Sequence, residues 1–373
     1  MVYNIRILYV ISHASPRVKR FQSCLKQKFQ VKILDTAPIW YTHYVDPRIM
    51  ALVSVPRLLV KIMKEAKHTR ASIILVNHPA LTTALPSLIV AKLLRIPCVI
   101  DYSDLIAIYD TNDYLRSALE VTLCKHATKL IVLTRCWAKV LNKCWKIPLA
   151  KIEIIPNSVD TEIVEKLKKI KIEQKSSSPT IVYLGNMVYR KLKQGMVDIQ
   201  DVNTLFRAIP IITKHFPDAK FIFAGFRPNP RVKEFFKKIG LSHNVIFMGT
   251  YKYGSEKHMQ LLATADILWF SAIKCIAMDF FDRFKLYEYM AAGKPIVAPD
   301  TLSTKEVLGI DYPLARCGDP KQFAEIVIKL LYNPTLYLAL SQKVKKSAEK
   351  YDWKNISMSL IKIISNCINN KVN

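Results

Sequence analysis

A repeated alternation constrains this chain more than any other feature of its sequence. Short runs rich in β-branched residues lie at 5–12, 31–34, 73–76, 98–101, 130–133 and 152–155. Between them are longer stretches whose apolar residues recur at helical spacing, as at 56–67 and 80–94. Runs that stay apolar at every position are strands buried on both faces, the pattern of a parallel sheet. Strands alternating with helices predict a doubly wound α/β sheet. At 166–178 the pattern breaks into a lysine-rich stretch ending in three serines, with Pro179 behind them. This reads as a charged helix running into a linker. The alternation then resumes, with strands at 180–184, 220–224, 245–248, 267–270 and 296–298 and helices at 201–216, 257–265 and 320–332. No fixed period repeats, so two similar domains in tandem fit and a solenoid does not. A length of 373 residues points the same way, since one core seldom organises so long a chain. Ligands of doubly wound sheets bind at the carboxyl ends of strands, so two such domains facing each other would place a site in the cleft between them.

Composition narrows the function classes. Hydrophobic residues make up 51% and charged residues 23%, a globular balance that excludes disorder for most of the length. The apolar stretch 80–94 is broken by Pro86 and Lys92 and followed by Arg95, so no membrane span is expected. Residues 5–12 are too short for a secretory signal, which keeps the expected location cytoplasmic. The eight cysteines form no Cys-x-x-Cys pair and are expected as reduced thiols. The net charge of +27 calls for an anionic partner: nucleic acid, anionic lipid or a phosphorylated small molecule. Nucleic acid ranks last, because no zinc finger or aromatic RNA-binding strand pair is present.

The segment 285–299 (KLYEYMAAGKPIVAP) carries the most chemistry. Lys285 and Glu288 lie three apart on an expected helix and share a face. Asp282 and Arg283 open that helix, Gly293 suits its end, and Pro295 leads into the strand at 296–298. A helix start offers backbone N–H groups and a positive dipole end to an anion, and Lys285 would add a full charge. A carboxylate one turn on can accept hydrogen bonds from adjacent ribose hydroxyls. Spacing alone does not separate this from an ordinary surface Lys–Glu pair on a helix that precedes Gly-x-Pro.

The segment resembles the donor-binding signature of glycosyltransferase family four, whose members have the GT-B fold. Further matches follow in order: Pro156-Asn157-Ser158-Val159-Asp160, Tyr183-Leu184-Gly185, Phe223-Ala224-Gly225, residues 244–249 (NVIFMG), Ala265-Asp266, Asp319-Pro320 and Tyr351-Asp352-Trp353. The resemblance implies two Rossmann-like domains facing a central cleft. These would be an acceptor-side domain at 1–165 and a nucleotide-sugar-binding domain at 180–350, with a linker at 166–179. A terminal helix at 351–373 would cross back to the first domain. It also implies sugar transfer from a nucleoside-diphosphate sugar with retention at the anomeric carbon.

The implied site follows residue by residue. Lys285, with Arg190 or Lys191 after Gly185, would stabilise the departing diphosphate, and Glu288 would anchor the ribose. Leu286 lies within the same signature. Lys193 is a third basic candidate in that loop. The family commonly has a glutamate eight residues before Glu288, in contact with the donor sugar. Phe280 stands there, and the replacement is open between Asp279 and Asp282. In the first domain His78 and Asp104 follow strands; His78 suits a sugar hydroxyl, and Asp104 would bind or deprotonate an acceptor hydroxyl. The usual glycine-rich loop after the first strand is replaced by His13-Ala14-Ser15-Pro16-Arg17. No Asp-x-Asp motif occurs, so no essential metal or other cofactor is expected. The amphipathic stretch 56–67, with Trp40, Tyr41 and Tyr44 upstream, reads as a core-packed helix or as a dock for an anionic membrane bearing a lipid-diphosphate-linked acceptor. A protein that keeps the fold and has lost catalysis is the competing reading, motivated by Phe280.

Overall fold

A computed structural model describes residues 5–12, 14–36, 47–78, 80–103, 114–170, 178–192 and 195–369. The chain divides into two compact units, residues 1–156 with 354–373, and residues 157–353. Both are Rossmann-like, each with a parallel sheet carrying helices.

The first unit holds a six-stranded sheet in the order β2-β1-β3-β4-β5-β6. The strands are β1 (Arg6–Ile11), β2 (Gln30–Asp35), β3 (Ile73–Asn77), β4 (Cys98–Tyr102), β5 (Lys129–Val132) and β6 (Ile152–Ile154). Every residue of β3 and β4 is buried, which is why their sequences never alternate. The helix Pro47–His68 packs along Leu81–Leu93. It seats Ile62 and Ala66 in the core and leaves Arg57, Lys61 and Lys64 in solvent. Much of that helix's amphipathicity is therefore spent on the core, as in any Rossmann layer. Trp40, Tyr41 and Tyr44 lie outside the described residues. Residues of the last helix, Trp353–Asn369, bury Leu360, Ile363 and Ile364, and the Cys24 thiol donates to the carbonyl of Ser357 at 3.5 Å.

The second unit holds a five-stranded sheet in the order β11-β10-β7-β12-β13. Here β7 is Thr180–Leu184, β10 Lys220–Ala224, β11 Val245–Gly249, β12 Ile267–Trp269 and β13 Ile296–Val297. A small antiparallel hairpin, β8 (Tyr189–Leu192) and β9 (Gly195–Asp198), follows β7 and was not expected from the sequence. Four-residue strands flanked by basic and glycine residues carry too little hydrophobic pattern to be read. The lysine-rich stretch expected to begin as a helix at 166 is already helical at Thr161–Lys169. Ile163 in that helix sits in the core of the second unit.

Where the chain enters and leaves this unit it is stitched to itself. The Val159 N–H donates to the Tyr351 carbonyl at 2.9 Å, and the Trp353 N–H to the Val159 carbonyl at 3.2 Å. Asp160 then caps the helix that follows, accepting from the Glu162 N–H. None of the eight cysteines is in a disulfide. No single described helix is long and apolar enough to cross a membrane.

Candidate nucleotide-sugar site

In the second unit the order of connection reverses between β7 and β12, which places a crevice at their carboxyl ends. The two strands pair only through Ile267–Ile181 and Leu268–Val182 and then part. The fully buried Tyr289 fills the gap. Its hydroxyl accepts the Leu184 N–H at 2.8 Å and donates to the Trp269 carbonyl at 3.2 Å. This pins the helix Phe284–Ala292 across the end of both strands. Gly293 closes that helix in the left-handed conformation, at φ +64°.

The pinned helix brings Lys285 onto the end of β7. The Lys285 ammonium donates to the Tyr183 hydroxyl at 3.0 Å and lies 4.3 Å from the centre of the Tyr183 ring. A Cβ on Gly185 would stand 2.6 Å from Lys285 Nζ, and Gly185 has φ +138°. Only glycine admits both the backbone and the lysine. Behind it, a Cβ on Gly225 would stand 2.5 Å from the Gly185 carbonyl oxygen, so two glycines pack back to back at the ends of neighbouring strands. Burial pushes the Lys285 ammonium down to about 7. The positive charge of Arg283 adds to that shift, while Glu288 and Asp198 oppose it.

Glu288 follows one turn later and is 9% exposed. Asp198, a residue the sequence reading passed over, organises the other wall. Its carboxylate accepts the N–H groups of Val188, Gln200 and Val202, joining the base of the hairpin to the start of the helix Val202–Thr213. Arg190 and Lys191 stand on β8, in register with Val197 and Met196. Their side chains, and all of Lys193, lie outside the described residues.

Asp282 does not stand free for a sugar. It is 2% exposed, and its Oδ2 accepts the Asn157 N–H at 2.9 Å and the Tyr287 hydroxyl at 3.0 Å. The Asn157 amide in turn donates to the Asp282 carbonyl at 3.1 Å. The Pro-Asn-Ser-Val-Asp segment is thus a junction clamp, and Asp282 is its anchor. Asp279 sits in the short helix Ile276–Phe280, and burial with the neighbouring charge of Asp300 raises its carboxyl above the usual range. Of the two acids, Asp279 is the one with its carboxylate outside that clamp. Leu286 packs in the core at 2% exposure, and its N–H donates to the Arg283 carbonyl, so it presents no polar group to a ligand.

In the first unit the switch point lies between β1 and β3. The Ser12 N–H donates to the Asn77 side chain at 2.8 Å, joining the two strand ends. His78 follows with φ +75° and 5% exposure, its N–H donating to the Asp101 carbonyl. A histidine in that conformation is uncommon and points to a position constrained by its surroundings. Arg17 buries its guanidinium on Asp101, at 2.8 Å in the shortest contact, and on the carbonyls of Ile155 and Pro156. This bidentate clamp ties the start of the helix Pro16–Lys26 to the end of the sheet, in the stretch that replaces the family's usual glycine-rich loop. His13 and Asp104 lie outside the described residues.

Two family models match the chain in succession. Residues 9–163 match Glycosyltransferase Family 4 and residues 178–333 match Glycosyl transferases group 1. The chain belongs to glycosyltransferase family four. A search of curated proteins found no match. Among solved structures it resembles a glycosyltransferase from Rickettsia africae (14% identity, covering 99% of this chain and 100% of that one, TM-score 0.73). Anabaena HepE in complex with UDP and glucose is similar at 14% identity, 97% and 100% coverage and TM-score 0.70. A UDP-GlcNAc 2-epimerase from Neisseria meningitidis is similar at 14% identity, 97% and 100% coverage and TM-score 0.62. At these identities the likeness establishes the GT-B fold, which hosts more than one reaction.

Proposed function

We propose that this family member transfers a hexosyl group from a nucleoside-diphosphate sugar to a glycan or lipid-diphosphate-linked acceptor, with retention of anomeric configuration. The observation that carries the reading is Lys285, desolvated against Tyr183 and Gly185 at the β7 strand end, with Glu288 one turn behind it. Anabaena HepE, which shares the fold, was crystallised with UDP-glucose, so UDP is the first nucleotide to test.

In the proposed reaction the acceptor oxygen bonds to the anomeric carbon on the face the diphosphate leaves. The carbon–oxygen bond to the diphosphate breaks, and the acceptor proton passes to a diphosphate oxygen. No protein nucleophile is required. Lys285, with Arg190 or Lys191, stabilises the charge that builds on the leaving group, and stabilisation of that kind is commonly the largest catalytic contribution. Glu288 holds the ribose. Asp279 is the carboxylate for the sugar in place of the missing glutamate; from the first unit we assign His78 to a sugar hydroxyl, His13 to substrate binding, and Asp104 to binding or deprotonating the acceptor hydroxyl. The proposal takes these cationic side chains, with no essential metal, as what balances the diphosphate.

The decisive assay is sugar transfer by Lys285→Ala and Glu288→Ala proteins whose melting shows intact folding. Losses of at least about 100-fold are expected, from a charge-assisted contact made to the transition state. Near-normal rates in both would remove the assignment. Phe280 motivates a second reading, a nucleotide-sugar-binding protein without catalysis, and it predicts donor binding with neither transfer nor hydrolysis. We place the protein in the cytoplasm, peripheral to the membrane, its positive surface meeting anionic lipid. Failure to sediment with anionic liposomes even at low salt would overturn that placement.

A further inference from the structure

His258 is fully buried, at 0% exposure, and none of the assignments above uses it. It lies in the first turn of the helix Glu256–Thr264, where its own N–H donates to the capping Ser255 hydroxyl. Its ring orientation is set by a contact at one edge and by aromatic packing. The Gly254 N–H reaches His258 Nδ1 at 3.1 Å. A backbone N–H can only donate, so Nδ1 carries the lone pair and the neutral ring keeps its proton on Nε2. The Tyr251 ring stacks on the imidazole at 5.0 Å and 15°, and the Tyr253 ring packs on it at 5.3 Å. Tyr253 also touches Phe284, the first residue of the helix that carries Lys285 and Glu288.

The proton on Nε2 has no hydrogen-bond partner among the described residues, and the Glu288 Oε2 lies 3.7 Å from that nitrogen. That separation is too long for a hydrogen bond, and a buried donor left without one is unusual. The imidazole is locked by stacking and by Gly254, whereas the Glu288 carboxylate rotates about its own side chain. A carboxylate shift of under about 1 Å would close the contact to ordinary hydrogen-bond length.

We propose that His258 is the positioning residue of Glu288: its Nε2–H takes one carboxylate oxygen and aims the other at the ribose hydroxyls of a bound nucleotide. The proposal rests on the reading of Glu288 as the ribose anchor. It assigns His258 no contact with the ligand. The neutral, tautomer-locked imidazole is suited to this task, because it can donate to the carboxylate without neutralising it.

The experiment compares binding of UDP and 2′,3′-dideoxy-UDP by calorimetry, on the wild-type protein, His258→Phe and His258→Gln. Wild type is expected to prefer UDP. His258→Phe keeps a ring for the tyrosines and removes the donor, so its preference should fall by about tenfold, the loss of one charge-assisted hydrogen bond, with dideoxy-UDP affinity unchanged. His258→Gln places an amide N–H near the same point and should keep most of the preference. An undiminished preference in His258→Phe overturns the proposal while leaving Glu288 as ribose anchor. Equal loss of preference in both variants, or loss of affinity for both ligands together, shows a packing role and also overturns it. A wild-type protein that binds the two ligands equally removes the Glu288 reading itself, and His258 with it.

Discussion

Lys285 makes the sharpest prediction, because its ionisation couples to both ligand and fold. Burial holds its ammonium down at about 7 in the ligand-free protein, against an ordinary value of 10.5. At pH 8 a group with such a value is about nine-tenths neutral, and at pH 6 about one-tenth. A diphosphate placed against it restores the charged form. Binding of UDP at pH 8, where the nucleotide's own terminal phosphate is already ionised, should therefore take up close to one proton from solution. Calorimetry in buffers of different ionisation enthalpy reads that number directly. Lys285→Arg, which cannot deprotonate, should bind with no uptake. The same shift acts on stability. Between pH 7 and 10.5 the unfolded chain holds a proton that the folded chain lacks, so stability rises with pH across that window. Below pH 7 the folded protein bears the full cost of the buried charge. At 1.36 kcal/mol per unit this approaches about 5 kcal/mol, an upper bound because the side chain keeps partial exposure. Lys285→Met should thus be more stable than wild type at pH 6.5, with the gain fading by pH 10.5. Uptake below about 0.2 proton at pH 8, or uptake that persists in Lys285→Arg, would refute the reasoning.

Arg17→Ala should cost about 3–5 kcal/mol in denaturant unfolding of the first unit, because Asp101 is left charged and buried; a change under about 1 kcal/mol contradicts the clamp. Gly225→Ala should lose at least about 2 kcal/mol, since the new Cβ meets the Gly185 carbonyl at a positive φ. Its urea midpoint should fall with an unchanged slope, and an unmoved midpoint counts against the close packing. Asp282→Ala should lose about 1–3 kcal/mol of stability, from the orphaned Asn157 N–H and Tyr287 hydroxyl. The folded protein should keep its affinity for UDP-glucose. A selective loss of sugar binding with full stability would return Asp282 to the sugar site.

The strands show how far local pattern reaches. The runs read at 180–184 and 220–224 coincide with β7 and β10, because buried parallel strands are continuous apolar blocks that helices cannot imitate over so few residues. The helix Pro320–Tyr332 was legible for the complementary reason, since Asp319 caps it and Pro320 opens it. The hairpin Tyr189–Leu192 with Gly195–Asp198 and the helix Pro230–Lys238 were missed. Both are short and rich in basic residues, with too few apolar positions to mark an element by themselves.

The site divides along the same line. Lys285, Glu288 and Gly185 could be named from the sequence because helix spacing and strand ends are local properties, and the order of the flanking motifs supplied the family. What the lysine meets there could not be read. Its desolvation depends on Tyr183, and its reach to Gly185 depends on Tyr289 bridging two strands that lie 85 residues apart between Leu184 and Trp269. Asp282 and Asp279 look interchangeable in the sequence, and only the clamp to Asn157 separates them. Arg17 and Asp101 likewise seem unrelated until the sheet is folded. Sequence determined the alternation of elements, because periodicity is written residue by residue. Tertiary structure decided which charges are buried and what they face, because desolvation and hydrogen bonding depend on residues that only folding brings together.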